Sequence, residues 1–382
     1  MPAASRSAQI AATAAELFCA RGYHNVGVTE IAAALGLTGP AIYRHFPGKR
    51  AILVAAIGDL CEGVAAAVEG PAGGCGPAGE RLDEAFRALV ELSLQRRTAA
   101  RLYQWEGRHL SGPEWTRLAG RIREVLEPLR GLLRQARPEL SKPEASLLVR
   151  AALSVVVSPS THRATLSRAK ARETLLDCCR TVLAATGLPP ADDTVPPSPS
   201  LDLLPRRERL LAEAVRLFHR DGYHAVAMED VGAAAGINSS GVYRHFASKP
   251  ALLAAIYHRA AGRVELVTVD ALTALDAPGD PLERLVRGYT ELTYGQAELA
   301  GIYLAEHGNL PEADRAELHR VQRRQVDVWL RLTEAERPGD SPGELRFRVH
   351  AALNVITDLA RVRRPHGGPA HAEHLVLALL RR

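Results

Sequence analysis

The amino-acid sequence predicts an all-α protein made of two copies of one helical unit. Residues 10–57 recur at residues 210–257, where 19 of 48 positions are identical in an ungapped alignment. Apolar residues elsewhere recur at helical spacing, without the sustained period-two alternation that is typical of strands. Repeats that build solenoids have periods of roughly 20 to 50 residues. An offset of 200 residues therefore indicates duplicated domains.

The duplication continues in the same register beyond these segments. The further matches are scattered and mostly apolar, which fits a retained core with altered surfaces. They pair Tyr103 with Tyr303, Glu106 with Glu306, Leu110 with Leu310, Leu118 with Leu318, Pro138 with Pro338, and Val149, Ala151, Ala152, Leu153 and Val155 with Val349, Ala351, Ala352, Leu353 and Val355.

Length and composition set the broad class. A chain of 382 residues is too long for one hydrophobic core, and 47% apolar with 24% charged residues is the composition of an ordinary globular protein. The net charge of +5 is compatible with nucleic-acid binding but does not require it. The N-terminus lacks an apolar signal core and no run of about 18 apolar residues occurs, so a cytoplasmic protein with no membrane association is expected.

The first copy begins with three short helices. The first helix has one apolar face and should end at Gly22. Thr29 is a suitable N-cap for the second helix, and Gly36 can close it in the left-handed conformation. Thr38 is then expected to cap a third helix over residues 39–46. Two short helices joined by a glycine-containing turn predict a helix-turn-helix.

The second copy repeats this layout with different cap residues. Glu229 and Asp230 should begin its second helix, Gly236 occupies the turn, and Asn238 should cap a third helix over residues 241–246. Lys49 and Lys249 should open the fourth helix of each copy. The predicted domains are a helix-turn-helix domain at 1–57, a helical domain at 58–186, a proline-rich linker at 187–205, a second helix-turn-helix domain at 206–257 and a second helical domain at 258–382.

The order of residues in both copies resembles the DNA-binding domain of the TetR family of bacterial transcriptional regulators. The shared motifs are Leu17-Phe18, Gly22-Tyr23, Thr29, Gly36, Tyr43-Arg44-His45-Phe46 and Lys49, repeated as Leu217-Phe218, Gly222-Tyr223, the acidic pair Glu229-Asp230, Gly236, Tyr243-Arg244-His245-Phe246 and Lys249. This resemblance implies a helical ligand-binding and dimerisation domain after each DNA-binding domain. It also implies release of a double-stranded DNA operator when a small molecule binds.

The resemblance implies phosphate contacts by the hydroxyl, imidazole and ammonium donors of each motif, namely Tyr43, His45 and Lys49 with Tyr243, His245 and Lys249. The alternative for each histidine is a solvated or core side chain, although repetition within a matching motif argues against it. Phe46 should lie in the core. Thr29 belongs to the same predicted DNA-binding set.

Base reading is expected at the start of each third helix, because the N-terminal residues of a recognition helix face base edges. The residues are Thr38, Gly39, Pro40, Ala41 and Arg44 in the first copy and Asn238, Ser239, Ser240, Gly241 and Arg244 in the second. Thr38 and Asn238 have the alternative role of helix caps, and the two roles are compatible. Since the two sets differ, the two readers should prefer different bases.

The helical domains carry candidate effector-binding residues. Amphipathic side chains in an apolar cavity would hold a ligand's polar end. The alternative, which these residues fit better, is ordinary helix packing. The resemblance implies an effector that is lipid-like or an acyl thioester. The candidates are Tyr103, Trp105 and Glu106 in the first copy and Tyr303 and Glu306 in the second.

Other motifs do not indicate chemistry. Residues 74–79 match G-x-G-x-x-G but follow no strand, so a loop is expected. The five cysteines lack C-x-x-C spacing, so a zinc site or disulfide framework is not indicated, although the adjacent Cys178 and Cys179 leave redox sensing open. We predict no catalytic residue, metal ligand or cofactor.

These observations predict a ligand-released repressor that acts as an intramolecular pseudo-dimer on an imperfect inverted repeat. The second copy of the motif is less basic than the first, with net charges of +1 over residues 201–257 and +3 over residues 1–57. An alternative is therefore a sensor or scaffold in which one helix-turn-helix no longer binds DNA. An enzyme is the weaker alternative, because no catalytic motif is present.

Overall fold

The computed structural model describes residues 5–97, 102, 110, 112–190, 203–274, 278–361 and 367–381. Within these residues all regular secondary structure is helical, which confirms the predicted all-α class. The first half of the sequence forms α1 (Arg6–Arg21), α2 (Val28–Ala34), α3 (Gly39–Tyr43), α4 (Lys49–Gly73), α5 (Ala78–Gln95), α6 (Pro113–Ala136), α7 (Lys142–Val157) and α8 (Arg168–Ala184).

The second half repeats this series. The counterparts of α1, α2 and α4 have bounds shifted by 200 residues, which confirms the register of the duplication. The helices are α9 (Arg206–Asp221), α10 (Met228–Ala234), α11 (Ser239–His245), α12 (Lys249–Thr273), α13 (Pro281–Gly295), α14 (Ala297–Ala305), α15 (Glu312–Glu336), α16 (Pro342–Arg361) and α17 (Pro369–Leu380).

The chain divides into two compact units. The first contains Met1–Leu188, Arg337–Asp358 and Ala378–Arg382, and the second contains Pro189–Glu336 and Leu359–Leu377. Most of α16 thus belongs to the same unit as the first half of the sequence. The apolar matches between residues 149–155 and 349–355 lie on α7 and α16.

Each helix-turn-helix has its own core, and that core continues into the following helical domain. In the first unit α1 contributes Ile10 and Phe18, and the same cluster includes Leu102, Leu110 and Ile122. The second unit contains the counterpart cluster, with Leu210, Phe218, Ile302, Leu310 and Leu318. Burying the side chains of two domains in one cluster couples them mechanically, because close-packed interiors transmit displacement.

Among the described residues, one helix is long and apolar enough by composition to cross a membrane, namely α4, with 25 residues and a mean hydropathy of 1.9. Half of the apolar stretch of this helix is buried, and α4 packs against α1, α5 and α6. Its apolar character thus has an internal explanation in the core of the first unit.

Two of the weaker sequence signals have structural explanations. Residues 74–77 of the G-x-G-x-x-G match form the loop between α4 and α5, as expected, whereas residues 78 and 79 already belong to α5. Cys178 and Cys179 are buried, and burial raises the pKa of the Cys178 thiol to about 11. A buried thiol with a raised pKa forms little thiolate, which favours packing over redox sensing.

Candidate nucleic-acid interface

Both predicted helix-turn-helix turns are formed, with matching geometry. Gly36 and Gly236 each have φ of 65°, the left-handed conformation that favours glycine. In the first copy the Leu37 amide donates to the Ala32 carbonyl at 2.8 Å, and in the second Ile237 donates to Gly232 at 2.8 Å. These bonds fix the angle between the two helices of each motif.

The predicted role of Thr29 as N-cap is wrong. Helix α2 begins at Val28 and its N-cap is Gly27, because the Glu30 carboxylate accepts the Gly27 amide at 2.8 Å. That back-bond satisfies an amide group that the helix itself leaves unpaired. Asp230 does the same for the Ala227 amide at 2.7 Å, so the acidic residue is the capping feature common to both copies.

The third helices differ at their starts. Asn238 caps α11, since its Oδ1 accepts the Gly241 amide at 2.9 Å and the Ser240 hydroxyl at 3.2 Å. Thr38 is the N-cap residue of α3 but makes no side-chain capping bond. Helix α3 ends at Tyr43 and α11 at His245, short of the predicted residues 46 and 246, because the chain turns before the following helix.

One face of each third helix is buried and the other carries the predicted contact residues. Ile42 and Val242 are fully buried, whereas Tyr43 and Tyr243 have exposed fractions of 57% and 48%. Phe46, which was predicted to lie in the core, is only partly buried and packs against the core cluster of the first unit, whereas Phe246 is buried. Gly241 is the buried member of the predicted reading set, whereas Arg44 and Arg244 are exposed. The predicted phosphate-contact residues His45 and His245 are also exposed.

Lys49 and Lys249 bind the backbone of the loop that precedes the second helix. Lys49 Nζ donates to the carbonyls of Tyr23 and Val26 at 2.8 and 2.9 Å, and lies 4.4 Å from the Tyr23 ring centroid. Lys249 makes the same contacts with Tyr223 and Val226, at 2.9 and 2.8 Å. Partial burial lowers the pKa of both lysines. Phosphate contact by these lysines stays a prediction, and the loop contacts are a role that sequence reasoning missed.

Lys249→Met is expected to lower the free energy of unfolding by about 1–2 kcal/mol, because two carbonyls lose a charged donor. Lys49→Met should have a similar effect, since the contacts are duplicated. Urea denaturation measures the change. Arg244→Met, at an exposed position, is the control and should change stability by less than about 0.5 kcal/mol. Unchanged stability of both lysine variants would contradict the structural role.

The candidate effector residues of the second copy lie next to its helix-turn-helix. Glu306 is only 2% exposed and accepts the Tyr223 amide at 3.3 Å and the Asn309 side-chain amide at 2.8 Å. Tyr303 stacks on Tyr257 with ring centroids 4.6 Å apart, and burial raises the pKa of Tyr303 to about 12. Their effector role stays a prediction, and the counterparts Tyr103, Trp105 and Glu106 lie outside the described residues.

Comparison with known proteins identifies the family. Residues 10–56 and 210–256 both match the family described as bacterial regulatory proteins, tetR family. The chain belongs to the TetR family. It carries two TetR-like units in tandem, each with its own helix-turn-helix domain, and these account for transcription regulation and DNA binding as properties of the family.

A curated relative of this TetR-family chain is the HTH-type transcriptional activator FasR of Mycolicibacterium smegmatis, which is 37% identical over 57 residues. The aligned stretch covers 15% of this chain and 26% of FasR, so the chain spans about a quarter of that relative's length in the match.

Solved structures of TetR-family regulators align with about half of the chain. One from Bordetella parapertussis is 20% identical and covers 45% of this chain and 93% of its own, with a TM-score of 0.42. PfmR from Thermus thermophilus is 21% identical, with coverages of 45% and 97% and a TM-score of 0.40. AibR, whose structure contains isovaleryl coenzyme A and operator DNA, is 22% identical, with coverages of 45% and 95% and a TM-score of 0.40.

Proposed function

We propose that this TetR-family chain is a cytoplasmic, ligand-released repressor that binds an imperfect inverted repeat as a single-chain pseudo-dimer. The observation that carries the proposal is the presence of two complete helix-turn-helix domains, each with an exposed Tyr-Arg-His sequence at the end of its third helix. A homodimer obtains two such readers from two chains. Here one chain supplies both.

The side chains at the two third helices suit the two kinds of DNA contact. The Tyr43 and Tyr243 hydroxyls and the His45 and His245 imidazoles can donate to phosphate oxygens, which position a protein on the duplex. Arg44 and Arg244 can bond guanine bidentately, which specifies sequence. The Tyr243 hydroxyl lies 3.4 Å from Glu229 Oε1, a weak contact that a phosphate can replace.

Pairing of the two halves is supported by a contact between equivalent positions. Asn354 Nδ2 donates to the Ser154 carbonyl oxygen at 2.8 Å, and these residues are 200 positions apart. In a symmetric dimer, equivalent residues meet each other only near the two-fold axis. The contact is the one expected if α7 and α16 cross at a pseudo-two-fold axis.

An effector can alter DNA binding through the contacts between the helical and DNA-binding domains. In the second unit the Tyr257 hydroxyl lies 2.8 Å from the Ile302 carbonyl and 2.9 Å from that of Tyr303, and Glu306 holds the Tyr223 amide. A ligand that binds more tightly to a state in which these contacts are shifted would favour that state. The position of α11 relative to DNA would then change. We propose a lipid-like or acyl thioester effector, as the family resemblance implies.

The decisive experiment is a footprint on DNA selected with the purified chain, followed by affinity measurements across salt concentration. Two protected half-sites are expected, with centres about 34–36 Å or a small multiple apart, and affinity should fall steeply with salt. Arg44→Ala and Arg244→Ala should each weaken binding by roughly tenfold to a hundredfold, the loss of one bidentate contact.

Arg134→Ala, which removes an exposed arginine from α6, is the charge-matched control and should leave affinity within about twofold. A footprint and affinity unaffected by Arg244→Ala would show that the second helix-turn-helix does not read DNA. The sensor or scaffold alternative would then replace the two-reader proposal.

A further inference from the structure

Buried polar residues interrupt the apolar surface that α16 presents within the first unit. Phe347, Val349 and Ala352 are almost fully buried, whereas Arg348 and Asn354 are polar yet only 6% and 5% exposed. Burying a charge or an amide costs free energy unless it is hydrogen-bonded. The bonding partners of these two residues therefore decide which surface α16 can pack against.

Arg348 is bonded by residues from both halves of the sequence. Its Nε donates to Asp340 Oδ2 at 2.8 Å, within its own half. Its Nη2 donates to Asp177 Oδ2 at 2.6 Å and its Nη1 contacts Cys178 Sγ at 3.4 Å, and both of these residues lie on α8. Burial acts to lower the pKa of Arg348, but Cys178 and the two carboxylates raise this pKa by more than burial lowers it. The guanidinium therefore remains charged.

The first half has no counterparts of Arg348 and Asp340. Leu148 and Leu140 occupy the positions 200 residues before Arg348 and Asp340, and Leu148 is fully buried. The helix that corresponds to α8 is α17, whose sole acidic residue is Glu373. Glu373 pairs with Arg287 at 3.1 Å in the second unit.

We propose that the Arg348–Asp177 ion pair makes the second half of the chain pair with the first half in preference to another copy of itself. The inference rests on the pairing of halves proposed above and adds its specificity. Two second halves packed together would leave each Arg348 with Asp340 alone, and removing one partner of a buried charge is strongly unfavourable. An element that disfavours the wrong partner in this way is a recurrent source of specificity.

The ion pair disfavours association of two second halves more than association of two first halves. Two first halves packed together would lose only the partner of Asp177, whose side chain is 52% exposed and can be solvated. Asn354 fixes the register of α16 on α7, because its bond to the Ser154 carbonyl is lost if one helix slides along the other. The pair thus excludes association of second halves more strongly than association of first halves.

The test uses the full chain with a protease site inserted into residues 191–200. The folded protein is cut, incubated and examined by native mass spectrometry. We expect the two halves to remain as a 1:1 complex, with pairs of second halves at least tenfold rarer than random reassortment gives. Arg348→Leu combined with Asp340→Leu, which installs the first-half residues, should raise the fraction of such pairs at least tenfold.

Asp177→Asn is the second variant, because it changes a half-exposed residue and leaves the fold intact. It should reduce the 1:1 preference, whereas Arg172→Leu, an exposed arginine on the same helix, should not. Random reassortment of the unmodified halves would overturn the specificity while leaving their pairing intact. Separation into single halves would overturn both the specificity and the proposed pseudo-dimer.

Discussion

Lowering the pH from 7 to 5 is expected to destabilise the first unit by about 4 kcal/mol, from two histidines that contribute about 2 kcal/mol each. The His162 and His350 rings stack in that unit with centroids 4.2 Å apart and an interplanar angle of 12°. Burial, reinforced by nearby cations, lowers the pKa of His162 to about 2 and that of His350 to about 4.

The folded protein loses stability at low pH because its unfolded state binds more protons. The unfolded chain protonates both imidazoles near their ordinary pKa of about 6.5, while the folded protein keeps them neutral down to the lowered values. The contribution of the two neutral histidines to the free energy of unfolding is therefore fully present above about pH 6.5 and is lost as the pH falls below that value. The cations acting on the pair are Arg97 and Arg346, which oppose protonation of the rings.

Urea unfolding followed by circular dichroism at pH 7, 6 and 5 measures this loss. His162→Gln and His350→Gln should each remove about half of the pH dependence, since the amide is neutral throughout. The exposed His245 provides the control, and His245→Gln should leave the dependence of the free energy of unfolding on pH unchanged. If the His162→Gln, His350→Gln double variant keeps the full slope, the histidine pair is not its source.

The parts of the fold that are encoded locally could be predicted from the sequence. Gly22 and Gly36 ended helices where expected because a glycine just past a helix takes the left-handed or other open conformations at little cost. Lys49 opened α4 as expected. The start of α2 was misplaced because Thr29 and Glu30 both resemble capping residues, and the longer carboxylate reached back to the Gly27 amide.

Contacts between distant residues could not be predicted. Asp177 and Arg348 are 171 positions apart, and each is an ordinary surface charge when read in its own helix. The loop contacts of Lys49 span 23 and 26 positions, so the sequence indicated only a cation at a helix start. Glu306 gave a signal, its match with Glu106 at the repeat offset, but the signal did not distinguish an effector contact from a contact with Tyr223.

Exchanging the reading residues of the second copy for those of the first should convert an asymmetric site preference into a symmetric one. The two readers begin Thr38-Gly39-Pro40-Ala41 and Asn238-Ser239-Ser240-Gly241. In a homodimer one gene encodes both readers, so they cannot diverge, whereas a tandem chain permits it. Each base pair whose preference changes is worth about 1–3 kcal/mol, or roughly tenfold to a hundredfold in affinity.

The exchange requires one supporting change. A Cβ at Gly241 would lie 2.7 Å from Ile237 Cγ2 and 2.9 Å from Asn238 Oδ1, so the alanine fits only when the residues around it change as well. Ile237→Leu restores the first-copy neighbour Leu37, and Ile237→Leu alone is the control. Binding-site selection followed by fluorescence anisotropy on the recovered half-sites measures the shift. Recovery of a perfect palindrome by the unmodified chain, with equal affinity for both half-sites, would show that the two readers are equivalent, because different contact residues on equivalent helices must otherwise favour different bases.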